Sequence, residues 1–168
     1  MLMLTLSLCA ALLTMLLWAA ICDFRARRVP NASCVGVAAL WPAYLALSDG
    51  LPHAAGALLG AAGVFATGFL LWRRGILGGG DVKLLSALAL WAGGSLLLPF
   101  LLLTALLGGV LALVWLHARH ASLLLPLRVT TGLSRAGLPT LPGDEQSLPY
   151  GVAVSFAGIW LTHRLFWS

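Results

Sequence analysis

"MLMLTLSLCAALLTMLLWAAICDF", Met1 to Phe24, decides the fold class. No charged residue occurs before Asp23, and the apolar run reaches the roughly 20 residues that cross a bilayer. A secretory signal carries basic residues ahead of its apolar core. Here no Lys or Arg precedes Arg25, so the stretch reads as a retained first membrane helix. It ends on an acid, Asp23, followed by Arg25, Arg27 and Arg28.

The rest of the chain repeats that grammar. Of its 168 residues, 61% are hydrophobic and 9% charged. A soluble domain needs a more polar shell than this. The expectation is an all-α integral membrane protein forming one domain over 1–168, a bundle of about six transmembrane helices. The candidate spans are Leu2–Cys22, Ser33–Leu47, His53–Trp72, Val82–Trp91, Leu96–Leu116 and Tyr150–Phe166. The second contains Pro42, and the fourth is short unless it runs from Asp81 into Gly93–Gly94. "GALLG", Gly56–Gly60, is a small-xxx-small pattern that suits close helix packing.

The net charge of +5 does not point to nucleic acid. No basic stripe with interleaved aromatics is present. Instead the basic residues cluster between apolar runs: Arg25, Arg27 and Arg28; then Arg73, Arg74 and Lys83; then Arg119, Arg128 and Arg135. Nine of the ten Lys and Arg lie in these alternate connections, with Arg164 outside them. The positive-inside rule sets these connections in the cytoplasm and both chain ends outside. The connection from His117 to Pro149 contains "SLLLPL", which suits an interfacial segment. It also holds Asp144 and Glu145 in a Pro/Gly turn. Cys9, Cys22 and Cys34 form no C-x-x-C pair, which argues against a disulfide framework or zinc site; they suit small apolar fillers. Neither a metal nor a cofactor is expected.

Two of the five acids stand out. Asp23 ends the first span and Asp81 begins the fourth, so both fall at the cytoplasmic ends of helices, while Asp49 falls on the opposite side. An ionisable group at membrane depth is a functional hypothesis by default. Two carboxylates at matched depth can share a water, one as general base and one as general acid. The dipole favours negative charge at Asp81, which starts a helix, over Asp23, which ends one; the neighbouring arginines oppose that preference at Asp23. Each acid alone also has a plain reading. Asp81 suits a helix N-cap and Asp23 a surface ion partner. Asn31 likewise suits the cap of the second span, and Lys83 a snorkelling anchor. The glycines Gly78, Gly79 and Gly80 before Asp81 exceed what a cap needs. "GGGD" fits neither phosphate-loop pattern. It suits a loop that shows a carboxylate to an incoming backbone.

"DFRARRVPN", Asp23–Asn31, and "GGGDVKLLSALALW", Gly78–Trp91, resemble the two signatures of the type IV prepilin peptidases, the second being their G-x-G-D motif. "LPYGVAVSFAG", Leu148–Gly158, resembles their last helix. The resemblance implies an aspartic endopeptidase of the bacterial inner membrane. It would cut the basic leader from prepilins or pseudopilins at the cytoplasmic face, after a glycine and before the apolar helix. Such cleavage supports pilus biogenesis or type II-like secretion. By position, Asp23 and Asp81 are the implied catalytic pair, with Gly78, Gly79, Gly80 and Lys83 as implied substrate contacts. Larger family members carry paired C-x-x-C motifs and N-methylate the new terminus; those motifs do not occur in this sequence, which therefore resembles the short peptidase-only members serving tight-adherence (Flp-type) pili. Two other classes stay in view: a small transporter or ion relay using the acids, and a non-catalytic pilus-assembly membrane protein. The oligomeric state is not legible.

Overall fold

The computed structural model describes residues 2–47, 54–124 and 149–167. Every regular element in them is helical: α1 Leu2–Ala26, α2 Asn31–Leu47, α3 Ala54–Arg73, α4 Gly79–Leu124 and α5 Tyr150–Trp167. Among the described residues, three stretches are long and apolar enough to cross a membrane: Met3–Ala26, Ala54–Arg73 and Gly79–His117. The 17-residue α2 is apolar but shorter, and α5 carries Ser155, Thr162, His163 and Arg164, which dilute its apolar character.

The expected fourth and fifth spans are the two arms of α4. They meet at Gly93, whose backbone leaves the helix (φ 57°, ψ −158°), a conformation that glycine adopts without a Cβ penalty. The break reverses the chain. Asp81 and Trp115 are 34 residues apart, about 50 Å of straight helix. Yet the Arg27 guanidinium lies 4.8 Å from the Trp115 ring centroid, and Arg27 lines one cavity together with Asp81. The connection between the expected fourth and fifth spans is thus a one-residue hinge. The helix also continues past His117, where a loop was expected, to Leu124. Residues 48–53 with Asp49, the rest of "SLLLPL", Arg128, Arg135, Asp144 and Glu145 lie outside the described residues.

The core follows from one face of α1. Leu8, Leu12, Leu16 and Ala19 recur at helical spacing and are buried, whereas Leu4, Leu17, Trp18 and Ile21 point outward and are exposed. The buried set meets Leu84, Leu88 and Trp91 of α4, Val154, Ala157 and Leu161 of α5, and Val37 of α2. So many outward-facing apolar side chains would be a liability in water; they suit a lipid solvent. Pro42 lacks an N–H and loosens the turn before it. A carbonyl of that region, Val37 O, accepts the buried Trp91 indole N–H at 2.9 Å. Only half of the small-xxx-small pair is used: Gly60 packs on Leu97, while Gly56 faces open space. Cys9, Cys22 and Cys34 are free thiols, with Cys9 and Cys34 buried.

Candidate active site

α1 ends with a non-glycine residue in the left-handed region. Arg27 has φ 50° and its N–H closes on the Asp23 carbonyl at 2.8 Å. That turn carries the chain from α1 through Arg28 and Val29 into α2, past the start of α4. Stacking of the Arg27 guanidinium on Trp115 offsets part of the backbone cost, by about 0.5–1 kcal/mol.

Asp23, one turn earlier, is 4% exposed, and a buried carboxylate needs partners. It finds them at the N-terminus of α5. The Val152 N–H donates to Asp23 Oδ2 at 3.1 Å, and the Gly151 N–H donates to the same carboxylate. The first turn of a helix offers such free donors and the positive end of its dipole. Gly151 makes the approach possible: a Cβ there would lie 2.9 Å from Asp23 Cγ and 2.7 Å from Val29 Cγ2.

Asp81 is 8% exposed and is the third residue of α4 rather than its cap. Its side chain reaches back to the Gly78 N–H while the Val82 N–H bonds to Gly78 O, one half of a capping box. Asn31 is likewise not a cap. It opens α2 as a helical residue, the Pro30 carbonyl takes the first helical bonds from Ser33 and Cys34, and Asn31 Oδ1 accepts from Lys83 Nζ at 2.9 Å.

Asp23 and Asp81 line the same cavity, about 700 Å³ in volume, walled by Arg27–Val29, the segment Gly75–Gly80 and Tyr150. They are near enough for the charge of Asp23 to act on Asp81. Gly78, Gly79 and Gly80 all contribute to the wall, but the space of their missing side chains is already taken. A Cβ at Gly78 would meet Asp81 Oδ2 at 2.7 Å, one at Gly79 the Trp72 indole nitrogen at 3.2 Å, and one at Gly80 Val29 Cβ at 2.9 Å. The glycines therefore admit parts of this same chain beside the acid, and what they offer the cavity is bare backbone. Lys83 stands apart. Two residues on from Asp81, it is turned about 200° round the helix and does not line this cavity. It borders a separate apolar hollow with Asn31.

Sequence reasoning passed over Tyr150, Arg27, Arg28 and Val29 as parts of the site. Tyr150 packs its ring on Gly108 of the second arm of α4 and closes one side of the cavity. A signal for the α5 contribution was present in "PYG". A proline before a helix and a glycine in its first turn mark exposed N–H groups that an anion can approach.

The model of the type IV leader peptidase family matches residues 10–113, a region that contains both carboxylates. The chain belongs to the type IV leader peptidase family. It is a membrane protein by that membership and by its apolar helices. One relative is the prepilin leader peptidase/N-methyltransferase of Xanthomonas campestris pv. campestris, 36% identical over 89 residues. The aligned part covers 48% of this chain and 31% of that relative. No solved structure matches the chain. The family match ends before Tyr150, so the donors from Gly151 and Val152 to Asp23 lie beyond the matched region.

Proposed function

We propose that this chain is an aspartic endopeptidase that removes the leader from type IV prepilins or pseudopilins, with Asp23 and Asp81 as its catalytic pair. The observation that carries the reading is their convergence. Two buried carboxylates, 58 residues apart in sequence, face one solvent-sized cavity from the ends of different helices. A relative that is named a prepilin leader peptidase supports the substrate class.

The chemistry needs one proton shared by two carboxyl groups. The ionised carboxylate takes a proton from water as the water oxygen bonds to the scissile carbonyl carbon. The protonated partner gives its proton to the carbonyl oxygen. The tetrahedral adduct then collapses: one of its two hydroxyls gives a proton to the ionised carboxylate, the C–N bond breaks, the leaving nitrogen takes the proton of the other carboxyl, and the pair is left holding one proton again. Gly78 is already engaged through its N–H with Asp81 and its carbonyl with Val82, so the wall offers a substrate backbone the first-turn N–H groups of α4 at Gly79 and Gly80. Lys83, bonded to Asn31 in a separate hollow, is left outside the substrate path.

The finer reading has six membrane crossings within a single 1–168 domain, counting the arms of α4 separately and including α2 and α5. The clustering of Lys and Arg supports a cytoplasmic dyad in a bacterial inner membrane. Similarity to short family members favours Flp-type pilins, in pilus assembly or related secretion. An ion relay would want a chain of ionisable groups across the bilayer. Among the described residues, Asp23 and Asp81 are the only carboxylates, both at one end. Purified protein in liposomes, mixed with a leader-bearing prepilin, should release the leader at a single peptide bond, read by mass spectrometry. Cleavage that survives in both Asp23→Asn and Asp81→Asn would sink the proposal.

A further inference from the structure

A prepilin cut at the dyad must also park its apolar helix, because that helix starts just after the scissile bond and lies in the bilayer. Resting on the peptidase reading, we propose that the apolar helix of the substrate docks in the groove between α3 and the two arms of α4. The groove has a volume of about 450 Å³ and is walled almost wholly by aliphatic side chains and glycine. Its one hydroxyl, Thr67 Oγ1, is satisfied within α3 by the Gly63 carbonyl at 2.9 Å, so the groove makes no demand for a polar partner.

Continuity with the dyad and open aliphatic walls together favour this groove. Leu77 lines both the groove and the Asp23/Asp81 cavity. From that lip the groove runs along α3 from Leu71 to Leu59, 12 residues or about 18 Å of helix, roughly half the hydrocarbon thickness. The direction is right as well: a substrate whose N-terminal leader enters the cavity has its apolar helix trailing from Leu77 into the membrane. The hollow on the opposite side of α3 is a poorer fit. It touches the dyad cavity through Gly79 but holds only about 250 Å³ between the Phe65, Phe69 and Trp72 rings, which contact one another in sequence; the hollow that Lys83 borders with Asn31 is larger, about 560 Å³, but shares no wall residue with the dyad cavity.

Three glycines of α3 shape the groove between Leu59, Val64, Thr67 and Leu71. At Gly60 and Gly68 the vacant space is filled by Leu97 and Val82, which draws α4 close. At Gly63 nothing lies within 4 Å of where a Cβ would be, so an incoming helix can approach the backbone there. A leucine at Gly63 fits the fold, since its side chain enters open space, yet it occupies the groove.

Two substrates separate docking from chemistry: a full prepilin in liposomes, and a soluble peptide that spans the leader and scissile bond but stops before the apolar helix. For Gly63→Leu, the ratio of kcat/KM for prepilin to that for the peptide should fall by about tenfold or more, the scale of one ill-fitting apolar contact. A photo-crosslinking side chain at position 67 should capture the prepilin helix. An unchanged ratio, or a crosslink only to lipid or only to a second copy of this chain, overturns the docking proposal. If wild type cuts neither substrate but position 67 still captures prepilin, docking stands and the peptidase reading falls.

Discussion

The two ends of the first α4 arm are built from opposite materials. At the Trp91 end, large rings wall a hollow of about 520 Å³ that no carboxylate lines: Tyr44 lies 5.2 Å from Trp91 and 5.9 Å from Phe166 between ring centroids, and the Trp91 indole is hydrogen-bonded to Val37. At the Asp81 end, space is kept by small residues. Gly78–Gly80 and Gly151 let backbone from three segments crowd around two carboxylates, and a cavity remains between them. The first arrangement holds a bundle together without any chemistry. The second gives up packed apolar area to seat buried acids on backbone N–H groups. Stability and activity should therefore separate along one helix.

Predictions that break or sharpen that contrast fall in order of size. Trp91→Ala removes a fully buried ring and its hydrogen bond and should cost about 3–5 kcal/mol of stability, read by thermal unfolding in detergent. Cleavage per folded molecule should hold; a loss of turnover larger than the loss of fold would show that the two ends are not separable. Gly151→Ala does the reverse. Its Cβ must push Asp23 or Val29 aside, and turnover should fall by about 10²-fold with the unfolding temperature nearly kept. Wild-type pH dependence should be bell-shaped, because a pair that shares one proton is inactive when both groups are ionised and when both are protonated. A single-limbed profile would assign only one acid to the chemistry. Lys83→Gln is the smallest change: an exposed side chain bonded to Asn31 outside the cavity should alter turnover by less than about twofold and stability by under ~0.5 kcal/mol. A large rise in KM would restore Lys83 to the substrate path.

Much of this was legible from residue pattern. Apolar run length gave helices, the charge clusters gave one face to both acids, and the scarcity of carboxylates drew attention to Asp23 and Asp81. What escaped was tertiary. The hinge depends on Gly93 in a positive-φ conformation, yet Gly94 beside it looks identical in sequence. The three glycines before Asp81 suggested room for a substrate; that room is filled by Val29 and Trp72, neighbours brought in from other segments. Nothing local to "ICDF" announces that Asp23 will cap a helix that begins 127 residues later, at Tyr150.

The central claim is that Asp23 and Asp81 act as one catalytic unit. A double-mutant cycle in kcat tests it most directly, using Asp23→Asn, Asp81→Asn and the double variant on a leader-bearing prepilin. If the two share one proton and one water, each single change should cost about as much as both together, on the order of 10³-fold or more. Losses that multiply in the double variant, or a single variant that keeps most of its rate, would contradict the account.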